Sequence, residues 1–211
     1  MLIIKEQEDS AIIEAVKALK AGQIISFATE TVYALACDAA NDKAVSKLYQ
    51  IKQRQANKPI AVFAANLKMA EKFLIFNKIE KKIADNFMPG AITLILKKKK
   101  ISANNYGLSP LLNRSSQDLG FRIPDHSFTL KLLKSFKDGF IAATSANISN
   151  KKAAVNCQEV VKYFGDKVDL IIDGGKCLYQ IASTVVKVDN KGKINIIRQG
   201  LVTEQNIVSI T

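Results

Sequence analysis

FATETVYALACD, residues 27–38, is the stretch on which the reading of the chain turns. Residues 24–28 (IISFA) form an apolar run that reads as a buried strand, and it stops abruptly at Thr29-Glu30-Thr31. A second apolar run, Val32-Tyr33-Ala34-Leu35-Ala36, follows at once. Two hydroxyls and a carboxylate therefore lie between two core-forming segments, with no Gly or Pro to make an ordinary surface loop. In an α/β protein ligands bind where strands end, and backbone N–H groups at such a turn suit a carboxylate or phosphate. Thr is also a good helix N-cap. These residues alone leave capping and ligand binding equally open.

Outward from this stretch, strands and helices alternate without an internal repeat or a linker. Apolar periodicity places a short strand at residues 2–4, a helix from Asp9 or Ser10 to Lys20, and a helix over 43–52 capped by Asn41 or Asp42. A polar loop, residues 53–59, leads to a strand at 60–64, then helices over 67–76 and 78–87, the second stopped by Pro89-Gly90. A strand at 91–96 precedes a run of four lysines at 97–100, read as a solvated loop, and an irregular segment over 102–117. Strands at 119–123 and 140–143, a helix at 128–136 between them, a helix at 157–164 and a strand at 168–172 follow. Residues 183–188 and 193–197 pair as a hairpin across Asp189-Asn190-Lys191-Gly192, and a short helix covers 203–208. The expectation is one α/β domain over residues 1–211, a twisted mixed sheet flanked by helices, because the late hairpin has to be antiparallel. No GxGxxG or GxxxxGK[ST] fingerprint supports a Rossmann or P-loop site.

The composition is globular, with 48% hydrophobic residues, but 31 Lys and Arg against 19 Asp and Glu give a net charge of +12. Such a field attracts nucleotides, nucleic acid and other polyanions. Only four of the cations are Arg (Arg54, Arg114, Arg122 and Arg198), so each marks a place that could need a planar, bidentate donor. Cys37, Cys157 and Cys177 lack metal-ligand spacing, and the lone His126 has no Cys near it; a zinc site is not supported and the thiols read as reduced core residues. No signal pattern or apolar run of transmembrane length is present, so a cytoplasmic location without a membrane partner is expected.

Several elements end in the same polar way. Thr29 follows one strand, Lys52 and Arg54 end a helix, and Arg122 ends a strand. Thr144, Ser145 and Asn147 follow a strand, Ser183-Thr184 begins one, and Arg198 ends one. If these ends share one edge of the sheet, they make a basic groove of cations, hydroxyls and an amide, suited to a polyphosphate plus a small zwitterion. No His accompanies Ser145, so a Ser-His-Asp triad is excluded.

Eight stretches, ATETVYALACDA, KQRQANKPI, PGAITLIL, GFRIPDH, ATSANIS, VDLIIDGG, STVVKV and IIRQG, run in order from Ala28 to Gly200. Together they resemble the YrdC-like family, in its short, single-domain form, which makes threonylcarbamoyl-adenylate for tRNA modification. The resemblance implies ATP as substrate with Mg2+ carried on it, L-threonine and bicarbonate or CO2 as co-substrates, and a downstream transfer enzyme that modifies tRNA. It implies Lys52, Arg54, Ser145 and Asn147 as a catalytic tetrad around the triphosphate, with Lys58 and Arg198 as further ATP contacts. Thr29, Arg122 and Ser183 become threonine-binding residues, Arg122 meeting the carboxylate, and Thr31 is left as the cap. The chain departs from the family pattern at Ala28 (usually Pro), Ala34 (usually Gly) and Asn150 (commonly Gly). It also departs at Ala153, Ala154 and Asn156, in a stretch that often offers Ser or Thr. An alternative of another class is a non-catalytic basic RNA-binding or ribosome-assembly factor, motivated by the net charge and the lysine run; direct RNA contact belongs to that expectation.

Overall fold

The computed structural model describes residues 1–55, 58–99, 107–113, 117–136 and 140–210. Lys100 and half of the 102–117 segment, Arg114 included, lie outside these residues.

In chain order the elements are β1 (Leu2–Lys5), α1 (Ser10–Lys20), β2 (Ile25–Phe27), β3 (Ala34–Asp38), α2 (Asp42–Ile51) and β4 (Ala61–Phe63). Then come α3 (Leu67–Ala70), β5 (Leu74–Ile75), α4 (Lys78–Phe87), β6 (Ile92–Lys98), β7 (Asp118–Arg122) and α5 (Ser127–Ser135). The last are β8 (Ile141–Ser145), α6 (Cys157–Phe164), β9 (Leu170–Asp173), β10 (Thr184–Val188), β11 (Ile194–Arg198) and α7 (Glu204–Val208). The strands build one sheet in the order β1-β9-β2-β3-β8-β4-β7-β6-β10-β11, with β5 on β6. The sheet is mixed. Beyond the β10–β11 hairpin, its centre is antiparallel from β2 through β3 and β8 to β4.

Successive residues of a strand face opposite sides, and the two sides are packed differently. Leu35, Cys37, Val62, Ala142, Phe121, Leu94 and Val186 join α2, α4, α6 and α7 in one buried cluster. Ala34, Ala36, Ile25, Phe27, Ala143, Leu170 and Ile172 join α1 and α5 in a second, which reaches no further across the sheet than Phe63 of β4. Beyond that point no helix among the described residues contributes to the second cluster, and the sheet face over β7, β6, β10 and β11 is left for the site.

Caps explain several helix starts. Asn41 accepts from Ala44 N at 3.0 Å, Asn156 from Glu159 N at 2.9 Å, and Asn77 forms a reciprocal capping box with Glu80. Asp9 stands at the cap position of α1 but makes no side-chain cap bond.

Three expectations are corrected. The helix over 67–76 ends at Ala70, and Leu74–Ile75 pairs with Lys97 and Lys98. Its Phe-Leu-Ile-Phe sequence suits a pleated, half-buried surface as well as a helix. For the same reason the lysine run does not begin as a loop: Lys97 and Lys98 complete β6. Their neighbourhood is tied down further, since Lys97 Nζ donates to Asn190 Oδ1 at 2.8 Å and Lys99 Nζ to Glu71 O at 2.5 Å. Finally, no helix follows Thr29-Glu30-Thr31; the chain runs into β3, so there is nothing for Thr31 to cap.

Candidate active site

A cavity of about 310 Å3 opens on the uncovered face. Its floor follows from strand register. Ala34 lies opposite Ser145, Ala61 opposite Ala143, Phe63 opposite Arg122, Ile95 opposite Gly120, and Val185 opposite both Thr93 and Arg198. Residues directly opposite share a face, and all of these line the cavity. The site therefore lies across a sheet face and not along one edge of strand ends, which corrects the expected geometry. Arg122, Ser145 and Arg198 are the last residues of β7, β8 and β11, and Thr29, Arg54, Lys58 and Ser183 come from the turns beside the strands, so the polar residues reach this face from element ends.

The floor residues carry little side chain. Ala34, Ala61, Ala143 and Gly120 leave the volume that larger residues would fill. A Cβ at Gly120 would stand 3.1 Å from Ala61 Cβ, tighter than an ordinary contact. Sequence reasoning singled out Ala34 only as a departure from the family pattern and missed Ala61, Ala143 and Gly120, along with Thr93 and Ile197. Small residues at alternate strand positions were the available signal.

Of the expected site residues, Thr29, Arg54, Lys58, Arg122, Ser145, Ser183 and Arg198 line the cavity. Lys52 and Asn147 do not; they stand behind Ser145. Lys52 is 1% exposed, and its Nζ bonds Ser145 O, Asn147 Oδ1 at 2.9 Å and Asn147 O at 3.2 Å, with Ser145 Oγ at 3.4 Å. Ser145 Oγ in turn donates to Asn147 Oδ1 at 2.7 Å. Burial pushes the Lys52 ammonium down to about 7, and repulsion from Arg54 and Arg198 adds to the effect.

A left-handed residue separates Lys52 from Arg54. Gln53 has φ 50°, Gln53 N bonds Gln50 O, and Arg54 N bonds Tyr49 O. This is a Schellman end to α2, with Gln where Gly is usual. The reversal sends Lys52 inward beneath Ser145 and leaves Arg54 on the cavity wall.

The three arginines each spend Nε and Nη2 on the protein. Arg54 donates through Nε to Lys58 O and Nη2 to Pro59 O; Arg198 donates through Nε and Nη2 to Ser183 O, and through Nη2 to Ser183 Oγ. Arg122 donates through Nε to Gly90 O at 3.1 Å and through Nη2 to Glu30 Oε1 at 2.7 Å and Thr31 Oγ1 at 2.9 Å. In each, Nη1 has no hydrogen-bond partner among the described residues. Burial lowers the pKa of Arg54; it lowers that of Arg198 too, with Arg122 and Arg54 adding repulsion. Three partly dehydrated cations lining one cavity, each with one nitrogen unbonded among the described residues, suit an anionic ligand. Thr93 Oγ1 lies 2.9 Å from Ser183 Oγ, extending the hydroxyl wall.

Thr29 closes the turn: its Oγ1 donates to Val32 O at 2.7 Å and accepts from Thr31 N and Val32 N. Tyr33 braces the same turn from below, its hydroxyl 2.9 Å from Gly175 O and accepting from Gly174 N at 3.0 Å. His126 is remote from this chemistry, with Nδ1 3.4 Å from Thr129 Oγ1.

Four of the six departures from the family pattern, Ala34, Asn150, Ala154 and Asn156, have local explanations. Asn150 has φ 68°, a left-handed conformation that Gly adopts freely and Asn tolerates. Ala34 is an ordinary strand residue, so its Cβ costs nothing. Asn156 serves as the α6 cap, and Ala154 ties the turns through Ala154 N to Ala146 O and Tyr33 N to Ala154 O.

Comparison with known proteins identifies relatives of the chain. Residues 17–200 match the family model Sua5_yciO_yrdC, described as "Telomere recombination". A putative threonylcarbamoyl-AMP synthase of Methanocaldococcus jannaschii is 35% identical over 97% of this chain and 93% of its own. The threonylcarbamoyl-AMP synthase of Mus musculus is 32% identical over 93% of this chain and 69% of its own. Among solved structures, P. abyssi Sua5 complexed with L-threonine superposes with a TM-score of 0.89 at 27% identity, over 99% of this chain and 60% of that one.

Proposed function

The chain belongs to the Sua5/YciO/YrdC family, and from that premise we propose that it is a threonylcarbamoyl-AMP synthase, joining L-threonine, bicarbonate or CO2 and ATP into threonylcarbamoyl-AMP with release of pyrophosphate. The observation that carries this is the convergence of Arg54, Arg122 and Arg198, each with Nη1 unused, on a cavity walled by Thr29, Ser145 and Ser183.

The reaction asks for no protein nucleophile. The threonine amine takes up bicarbonate or CO2 to give a carbamate, and a carbamate oxygen attacks the α-phosphorus as pyrophosphate leaves. Catalysis is then positioning and charge stabilisation. Arg54, Arg198 and Lys58 hold the triphosphate, with Lys52 behind Ser145 and Asn147 supplying positive charge. Arg122 takes the threonine carboxylate, and Thr29 and Ser183 hold its polar groups. The lining of the cavity includes no carboxylate among the described residues. Mg2+ would therefore be held by the phosphates it neutralises, with no protein ligand set of its own. The product is reactive, which calls for a transfer enzyme acting on tRNA, in the cytoplasm. No helix among the described residues is long and apolar enough to cross a membrane.

The test is pyrophosphate release on mixing the protein with L-threonine, bicarbonate and Mg-ATP. Release that depends on all of them is expected. None under any combination, with salt-sensitive RNA binding instead, would overturn the proposal.

A further inference from the structure

Arg54 and Arg198 are held by backbone carbonyls and a serine hydroxyl, whereas Arg122 alone has a buried counter-charge. Its pair with Glu30 is 2.7 Å long, with the side chains 5% and 4% exposed. Gly90 O fixes Nε, Glu30 and Thr31 fix Nη2, and the Phe63 ring stands 5.7 Å from the guanidinium carbon. Only Nη1 is left. Glu30 Oε2 is buried and has no hydrogen-bond partner among the described residues, and among those residues Arg122 is the only side chain that bonds this carboxylate. A buried ion pair is a costly way to hold a fold together, since apolar residues of similar volume often do as well or better.

We propose that Glu30 is a positioning residue that acts through Arg122: it pins Nη2 so that Nη1 alone meets the amino-acid carboxylate, and its charge reserves Arg122 for a singly charged group. The uncompensated Arg54 and Arg198 are then the pair that takes the polyphosphate. This rests on the reading of Arg122 as the carboxylate contact.

The experiment is a kinetic cycle with E30Q, R122M and E30Q/R122M, each checked for folding by its melting transition. Gln keeps the volume and an oxygen for Nη2 but removes the charge. E30Q is expected to raise the KM for threonine about tenfold, the worth of one well-placed charge-assisted bond, with the KM for ATP within about twofold. In the R122M background E30Q adds nothing further. Should R122M not fold, T31V, which removes the other Nη2 acceptor, carries the test: a smaller rise in threonine KM, again without ATP, is expected. An unchanged threonine KM in R122M overturns the carboxylate reading and this proposal with it. A raised one in R122M with an unchanged one in E30Q, or equal rises for threonine and ATP in E30Q, overturns the role of Glu30 alone. An unchanged threonine KM in T31V, where R122M does not fold, overturns it also.

Discussion

At Lys52 the structure sets a charge against its surroundings. The ammonium is buried under Ser145 and Asn147 and its pKa falls to about 7, while in the unfolded chain it stands near the ordinary lysine value of about 10.4. Below pH 7 both states carry the proton. Between these values the unfolded state binds more protons, so the stability that Lys52 confers rises with pH through that window. The difference in unfolding free energy between the protein and K52M should therefore be larger at pH 9 than at pH 6, measured by denaturant titration. A bound triphosphate favours the charged form, so nucleotide binding at pH 8 should take up a proton. Calorimetry in two buffers of different ionisation enthalpy reads this directly, and equal heats would count against a phosphate near Lys52. One residue on, Gln53 sits in a left-handed conformation that costs a side chain roughly 1 kcal/mol relative to Gly. Q53G should raise stability by about that amount. A loss of stability would mean that the Gln side chain contributes more than its backbone costs.

At the scale of elements, α4 is tied at its start by the Asn77–Glu80 capping box, on the helix-covered side of the sheet. N77A should cost about 1 kcal/mol in chemical denaturation and leave the KM for threonine and ATP as they are. In β7 the reverse holds. Gly120 is on the cavity floor, tight against Ala61. A β-branched residue suits a strand but would project into the space the substrates need, so G120V should lower kcat/KM by tenfold or more, an estimate from the sensitivity of positioned reactions. Activity near the unsubstituted level in a folded G120V would show that the substrates bind elsewhere. The strand and helix alternation was legible in the periodicity, and Asn41, the Asn190-Lys191-Gly192 turn and Pro89 were legible as punctuation. Residues 67–76 were not, because Phe73, Leu74, Ile75 and Phe76 fit either period and the pairing with Lys97 and Lys98 arbitrates.

Across the whole molecule, the +12 charge acts over distances that salt screens, with a Debye length of roughly 10 Å at 0.1 M. ATP is a polyanion and threonine a zwitterion, so raising ionic strength should raise the KM for ATP more than that for threonine. Parallel salt dependence of the two would count against a division of labour between Arg54 with Arg198 and Arg122. Helices α1 and α5 cover the second sheet face only as far as Phe63, and this incomplete layer makes the cavity.

The sequence by itself singled out the candidates for the site: Thr29, Lys52, Arg54, Arg122, Ser145, Asn147, Ser183 and Arg198 stand out by type and by their place at the ends of expected strands and helices. Those are local properties, fixed by hydrophobic period and by residues that break it. Only the tertiary structure decided that these residues meet across a face, that Ala61, Ala143 and Gly120 clear the space between them, and that Glu30 belongs to Arg122. Each of these depends on strand register and on which layer stops where, relations between residues as far apart as 30 and 122 that no local pattern encodes.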